Sequence, residues 1–393
     1  MRKFKNDIYE VGAIHWDARL FDRLIPLPDG TSYNSYLIKG SEKTALLDTV
    51  DPSLLQVLLN NLMQCEVENI DYIISHHAEQ DHSGSLNDIL LLYPNAKIVT
   101  NPLCKKMLMD LHDIEDDKFV TVEDGETLSL GSKTLQFLYL PWVHWPETMG
   151  TYLKEDNILF SCDFFGAHLA ASNLFVDDEA VVYNSAKRYY AEIMMPFRKK
   201  INENIEKISK LQIDFIAPSH GPVHQRPEFI IDAYKDWASE KVKNEVVVAY
   251  VSMHGSTARM VAHFVEALME RGIKVRQFEL STLDTGKLAM AMVDAATLVI
   301  GTPTVLAGPH PCAAYAAFLA NAMKPKTKVA AIIGSYGWGG RTVEILKNTI
   351  SSLKVDLLEP LIIKGHPKDS DFDSLEKLAD NILAKHKELN IID

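Results

Sequence analysis

Within six residues, His77-Ala78-Glu79-Gln80-Asp81-His82, this chain places four side chains able to ligate a metal. They come directly after Tyr72-Ile73-Ile74, an apolar run that reads as a buried strand. Four ligating groups this close together have little structural use, and a loop that carries them needs a rigid sheet behind it. The order of the ligands matters as much as their number. Imidazoles alone would suit zinc, whereas imidazole alternating with carboxylate suits a harder, redox-active metal such as iron. Glu79 is the residue that separates the two chemistries.

Further donors follow other predicted strands in the first half. His144 lies in Trp142-Val143-His144-Trp145-Pro146, after a strand over 135–140. Asp163 ends the strand that starts at Ile158, and His220, in Ser219-His220-Gly221, follows the apolar stretch 213–216. The set amounts to two metal ions: His77, Glu79 and His144 on one, Asp81, His82 and His220 on the other. Asp163 would bridge them, because its two oxygens can reach separate cations. A lone histidine after a strand is more often a hydrogen-bonded structural residue, so His76, His168 and His224 rank below these. His76 should face away from His77 if the strand alternation persists, and His168 lies beyond the Asp163 loop. His224, four residues after His220, is the nearest competitor. Strands are also expected at 33–38, 44–47, 70–74 and 97–99. Helices are expected at 86–92 and at 52–63, the latter with Asp51 as N-cap and Pro52 at its first position.

A polar helix is expected around 228–245, and from there the pattern changes. Val246-Val247-Val248-Ala249-Tyr250 reads as a central parallel strand. Four more strands, at 274–280, 297–300, 329–333 and 361–363, alternate with helices, which is the pattern of a doubly wound α/β domain. Three loops follow its strands. The first is Ser252-Met253-His254-Gly255-Ser256-Thr257, which opens a helix over 259–271 and can hold a phosphate there. The second runs from Gly301 through Pro303, Thr304, Val305, Leu306, Ala307 and Gly308. The third contains Ser335, Tyr336, Gly337, Trp338, Gly339 and Gly340. The first loop lacks the Gly-Lys-Ser/Thr ending of a nucleotide-hydrolysing loop and the Gly-x-Gly-x-x-Gly of a dinucleotide site. Glycines in the later loops let backbone N–H groups approach a flat ring edge, and Tyr336 or Trp338 can cover its face.

Composition removes other options. A formal charge of −13 argues against a nucleic-acid partner, and no apolar run reaches the length of a membrane span. Met1-Arg2-Lys3 is basic but no apolar segment follows, so a secretory signal is not expected. The four cysteines, Cys65, Cys104, Cys162 and Cys312, form no close pair. That spacing excludes a rubredoxin-like module, argues against a disulfide framework and makes a reducing cytoplasm the default.

The His-x-Glu-x-Asp-His element, the isolated His, Asp and His-Gly elements, and the segments Ser32-Tyr33-Asn34-Ser35-Tyr36-Leu37 and Leu46-Leu47-Asp48-Thr49 resemble the flavodiiron proteins over essentially the whole chain. Hydrolytic zinc relatives of that fold carry a second His where this chain has Glu79. The resemblance implies an α/β protein with a metallo-β-lactamase-like αββα sandwich over 1–243 and a flavodoxin-like doubly wound parallel sheet over 244–393. It implies FMN on the three loops, and two iron ions on His77, Glu79, Asp81, His144, Asp163 and His220. His82 matches as well, at a position whose equivalent is displaced from the metal in some members. His224 departs from the family, whose members carry an apolar aromatic there. The implied activity is reduction of O2 to water and/or of NO to N2O. The implied electron donor is external, rubredoxin or reduced coenzyme F420, and the implied assembly is a head-to-tail homodimer or dimer of dimers. Two rivals use the same residues: a zinc hydrolase fused to a flavodoxin, and a non-catalytic O2/NO sensor.

Overall fold

The computed structural model describes residues 1–393. By contact density the chain forms two units, Met1–Tyr190 with Phe197–Ala238, and Ala191–Pro196 with Ser239–Asp393.

In the first unit, alternation along the strands builds two layers at once. Leu37, Leu46, Ile73 and Ile98 share a core with Leu58, Leu62, Leu86, Ile89, Cys104 and Leu108 of three helices. The residues next to them, Ile38, Leu47, Ile74 and Val99, face the opposite way. They pack with Leu135, Phe137, Met149, Ile158 and Phe160 of a second sheet. A period of two thus gives one sheet a helical side and a sheet-packing side. The first sheet runs Arg2–Lys5, Ile8–Glu10, Tyr36–Lys39, Thr44–Leu47, Tyr72–Ile74, Lys97–Thr100, Phe119–Thr121, with parallel pairing from Thr44–Leu47 onward. The second runs Thr127–Ser129, Thr134–Tyr139, Met149–Leu153, Ile158–Cys162, Phe215–Pro218. Helices Glu179–Tyr189, Arg198–Ile208 and Pro227–Ala238 complete the unit.

The second unit is an open parallel sheet ordered Lys274–Glu279, Lys243–Tyr250, Ala295–Val305, Val329–Tyr336, Leu361–Lys364. This is the flavodoxin-type 2-1-3-4-5 order. Val246, Val248, Val299, Ala331 and Ile333 are buried against Met260, Phe264 and Leu268 of helix Ser256–Glu270, and against Leu375, Leu378 and Ile382 of helix Asp369–Glu388. No helix is long and apolar enough to cross a membrane.

Four boundaries differ from expectation. The strand over 33–38 is two strands, Thr31–Tyr33 and Tyr36–Lys39, in different sheets. The chain breaks at Asn34, whose amide Nδ2 donates to the carbonyls of Pro218 (2.8 Å) and Gly221 (2.7 Å). Asp51 caps a short 3-10 turn, Pro52–Leu54, before the α-helix Leu55–Gln64. The polar helix stops at Ala238, and residues 243–245 pair in the sheet instead. Charge alone does not distinguish a helix end from the exposed start of a strand. The helix expected from residue 259 begins at Ser256, because Gly255 at φ +87° turns the chain into it.

Candidate metal and flavin sites

Each metal-site residue follows a strand end. His77 and Glu79 come after Tyr72–Ile74, and Asp81 and His82 lie on the short helix Gln80–Ser83. His144 follows Thr134–Tyr139, Asp163 follows Ile158–Cys162 and His220 follows Phe215–Pro218. Asp163 is aimed by an irregular register between Phe160 and Cys162 and by Cys162 itself, which adopts φ +54°. A β-bulge re-aims a side chain in this way, and a non-glycine residue in the left-handed region implies local strain that other contacts must hold.

The fold brings the seven residues into two adjoining groups, His77–Glu79–His144–Asp163 and Asp81–His82–His220. Asp163 lies between them. Its Oδ2 is 3.5 Å from His77 Nε2 and 3.4 Å from His144 Nε2. Its Oδ1 is 3.0 Å from His82 Nε2 and 3.4 Å from His220 Nε2. Glu79 Oε2 closes the first group at 2.9 Å from His77 Nε2 and 3.1 Å from His144 Nε2. Asp81 Oδ2 closes the second, 3.2 Å from His82 Nε2 and 3.3 Å from His220 Nε2. His82 therefore turns toward the centre in this chain.

Both carboxylate oxygens of Asp81 and Asp163, and both ring nitrogens of His82, are buried without hydrogen-bond geometry to any protein atom. Buried polar groups without partners are rare and costly. Here they converge from several sides with mixed imidazole and carboxylate donors, a set suited to two divalent cations of the iron type. Electrostatics agree. Burial would lower the imidazole pKa values, but Asp163 and Glu79 raise His144 to about 9, and Asp163 and Asp81 raise His220 to about 10. Burial would raise Glu79 and Asp163, yet the surrounding imidazoles hold both carboxyls well below the usual range. Positive charge is stabilised here whatever carries it.

The ligands are braced from behind. His77 Nδ1 bonds Glu147 Oε1 at 2.8 Å, and the same oxygen accepts from the Ala78 backbone N–H at 3.0 Å. His220 Nδ1 donates to the Ser32 carbonyl at 2.6 Å. Such outer contacts set which ring nitrogen faces a metal. Thr49 Oγ1 donates to the His82 carbonyl at 2.5 Å. Asn34 holds the Pro218 and Gly221 carbonyls that flank His220. The flanking segments 32–37 and 46–49 thus support the site rather than merely precede it.

Of the competing histidines, His76 faces away, held by Asp48 Oδ2 (2.6 Å) and Thr151 Oγ1 (2.7 Å). His224 is buried with Nε2 3.2 Å from the Phe165 carbonyl, and burial pushes it down to about 4. Neither belongs to a metal group. His168 is buried beside His220, with ring centroids 4.9 Å apart, and also lies outside both groups. Sequence reasoning missed Glu147, for which the one signal was an acidic residue three positions after His144. It also missed Asp22, whose carboxyl is raised by burial and by the nearby charges of Glu79 and Asp81.

In the second unit, a cavity of about 220 Å³ is lined by Ser252, Met253, His254, Ser256, Thr257, Pro303, Thr304, Ser335, Tyr336, Gly337 and Gly365. A second, of about 640 Å³, shares Thr304 and Tyr336 and adds Gly339, Gly340, Arg341 and Thr342 among others. Hydroxyls at a helix N-terminus on one side and a flat ring beside glycines on the other fit a phosphate and an isoalloxazine respectively. Gly340 is needed for this approach, since a Cβ there would lie 2.7 Å from Thr304 Cγ2 and 2.9 Å from the Ala307 carbonyl. The remaining expected contacts do not line these cavities. Val305 and Gly308 pair across a tight hairpin whose turn residues, Leu306 and Ala307, have positive φ. Leu306 and Trp338 are largely exposed. Gly255 acts by turning the chain. Gly365, Arg341 and Thr342 were not anticipated, because they come from outside the three loops.

Comparison with known proteins agrees with this division. The profile of the ODP family beta lactamase matches residues 31–221, and that of flavodoxin matches 248–377. The chain is 34% identical to a nitric oxide reductase of Moorella thermoacetica, over 96% of this chain and 97% of that one. It is 32% identical to an oxidase of reduced coenzyme F420 from Methanothermobacter marburgensis, over 97% and 98%. Among solved structures, rubredoxin oxygen:oxidoreductase from Desulfovibrio gigas superposes with TM-score 0.95 at 29% identity, covering 99% of both chains. The flavodiiron protein of Giardia intestinalis gives 0.92 at 27% identity, covering 99% of this chain and 97% of that one. Close relatives matched end to end, with both units in the same order, establish that this chain belongs to the flavodiiron protein family.

Proposed function

We propose that the protein is an oxidoreductase that takes electrons at FMN and delivers them to a diiron centre, reducing O2 to water and/or NO to N2O. The observation that carries this reading is Asp163, whose two oxygens each serve a separate cluster of imidazole and carboxylate. Two iron ions held there and one FMN supply the redox chemistry, together storing the four electrons that O2-to-water requires. The chain's own residues do the rest. His77, Glu79 and His144 would hold one ion, Asp81, His82 and His220 the other, and Asp163 both. Glu147 and Ser32 fix the ring nitrogens that face the site. Ser252, Ser256 and Thr257 would hold the flavin phosphate, with Tyr336 beside the ring.

Rubredoxin is the donor that suits the family best, with reduced coenzyme F420 the second choice. The flavin loops and the metal residues lie on different units, so we propose a head-to-tail homodimer, or a dimer of dimers, that pairs the flavin of one chain with the diiron site of another. Analytical ultracentrifugation showing a fully active monomer would overturn that assembly. The cysteine pattern supports a reducing, cytoplasmic setting.

The decisive experiment measures O2 and NO consumption side by side with reduced rubredoxin and with reduced coenzyme F420, on protein whose metal content is determined. Two irons, one FMN and multiple turnovers are expected. Two zinc ions with ester or amide hydrolysis would establish the hydrolase instead, and gas binding without turnover the sensor.

A further inference from the structure

His168 lies beside the metal residues without belonging to either group. It is 6% exposed, and its Nδ1 is 2.9 Å from Thr31 Oγ1. The next residue does the same for His220, whose Nδ1 is 2.6 Å from the Ser32 carbonyl. Consecutive residues of one short strand, Thr31–Tyr33, therefore anchor two imidazoles by the same ring nitrogen. His220 spends its Nε2 on Asp81 and Asp163. The Nε2 of His168 has no partner in the protein.

Hydrogen-bond distances favour one tautomer. Thr31 Oγ1 is 3.4 Å from the Ser32 carbonyl, which His220 already occupies at shorter range, and 2.9 Å from His168 Nδ1. Donation by Thr31 to the nearer acceptor, Nδ1, would leave the ring proton on Nε2. Phe21 (5.0 Å) and Tyr189 (4.8 Å, edge-on) wall the ring. Its ring centroid is 4.9 Å from that of His220, whose Nε2 meets Asp81 and Asp163. An N–H buried without a partner is a net cost that a phenylalanine in the same slot would avoid. Such a donor makes sense if its acceptor arrives with the substrate.

We propose that His168 Nε2–H is a fixed hydrogen-bond donor to the small substrate bound between the two metal groups, with Thr31 setting its tautomer. No proton transfer is involved; the N–H orients and polarises an oxygen atom of the substrate. This rests on reading the site as one that binds O2 or NO.

The test uses the full chain loaded with iron and FMN, in wild-type form and as His168→Leu, His168→Gln and Thr31→Val. Reduced protein is titrated with NO, and the N–O infrared stretch and the dissociation constant are read. Wild type should give a stretch that moves to higher wavenumber in His168→Leu, with NO binding about three- to tenfold weaker. His168→Gln, which keeps an N–H, should fall between them, and Thr31→Val should shift in the same direction as His168→Leu. Iron should stay at two per chain in all four. An unmoved stretch and unchanged affinity in His168→Leu would overturn the proposal. So would loss of iron from that variant, which would make His168 a ligand or a structural support. If wild type itself binds no NO and consumes no O2, the functional reading fails first and takes this one with it.

Discussion

Buried imidazoles in the two units are treated in opposite ways. In the flavodoxin-like unit, His386 is fully buried with both nitrogens satisfied, Nδ1 by Asn244 Oδ1 and Nε2 by Thr297 Oγ1, each at 2.8 Å. In the metal-site unit, His82 is equally buried and neither nitrogen has a hydrogen bond. The first arrangement is a finished polar contact. The second gains a partner only when a cation binds among Asp81, Asp163 and the imidazoles. The functional loops differ in the same sense. The metal site is built from charged side chains aimed by a bulge and braced from behind, whereas the flavin site is built from hydroxyls and close backbone approach around glycines. A site for compact positive charge needs buried anions held in place, while a site for a large flat ring with one phosphate needs room and donors.

The contrast can be broken first at Asp163. Asp163→Ala removes the one residue shared by both groups, so iron should fall well below two per chain and turnover should be lost, while FMN stays at one per chain. Metal and flavin analysis on the same sample checks this, and a variant that keeps two irons would refute the bridging role. Glu147→Gln should act next. Weakening the contact that orients His77 should lower iron affinity by about 10–100-fold, read by chelator competition, again with flavin binding unchanged.

His386 offers a pH test of the other unit. Burial lowers its pKa to about 4, against an ordinary value of 6.5. Between those values the unfolded chain binds the proton and the folded chain does not, so stability falls as pH drops from about 6.5 to 4. Above that window the contribution is fully present, and below it the loss is complete. It amounts to no more than about 3 kcal/mol, and should be missing from the pH profile of His386→Gln in denaturant titrations. The smallest effect is expected at Thr257, whose Oγ1 lies 3.4 Å from Ser335 Oγ at the flavin cavity. Thr257→Val should weaken FMN binding by about 1 kcal/mol, roughly fivefold, and leave iron content untouched.

Much of this was legible in the chain because local rules govern it. The apolar runs before residues 77, 163, 220, 252, 301 and 334 mark strands, and ligand-bearing loops follow strands. Alternation also separated His76 from His77 correctly, since adjacent side chains near a strand end face opposite ways. Less legible were features that depend on partners distant in sequence. Leu306, Ala307 and Trp338 were expected as flavin contacts because of the loops they sit in. The fold adds that Leu306 and Ala307 form the turn of a two-residue hairpin and that Trp338 is exposed, and that Gly365 and Arg341 also line the cavities. Helix 227–238 ended earlier than its polar pattern suggested because Lys243 and Glu245 found strand partners at Ala295 and Lys274.

The sequence by itself determined the chemistry available: which residues can ligate, that carboxylate alternates with imidazole over 77–82, and that a parallel α/β unit follows the metal-site unit. Residue type and short-range periodicity carry that information. Only the tertiary structure decided how those groups meet. Asp163 divides its two oxygens between two clusters because the irregular register at 160–162 and the left-handed Cys162 turn it there. Glu147, 70 residues from His77, orients that ring, and Thr31, 137 residues from His168, holds that imidazole by Nδ1 beside His220. Contacts over such separations arise when distant strands pack, and no local pattern in the chain records them.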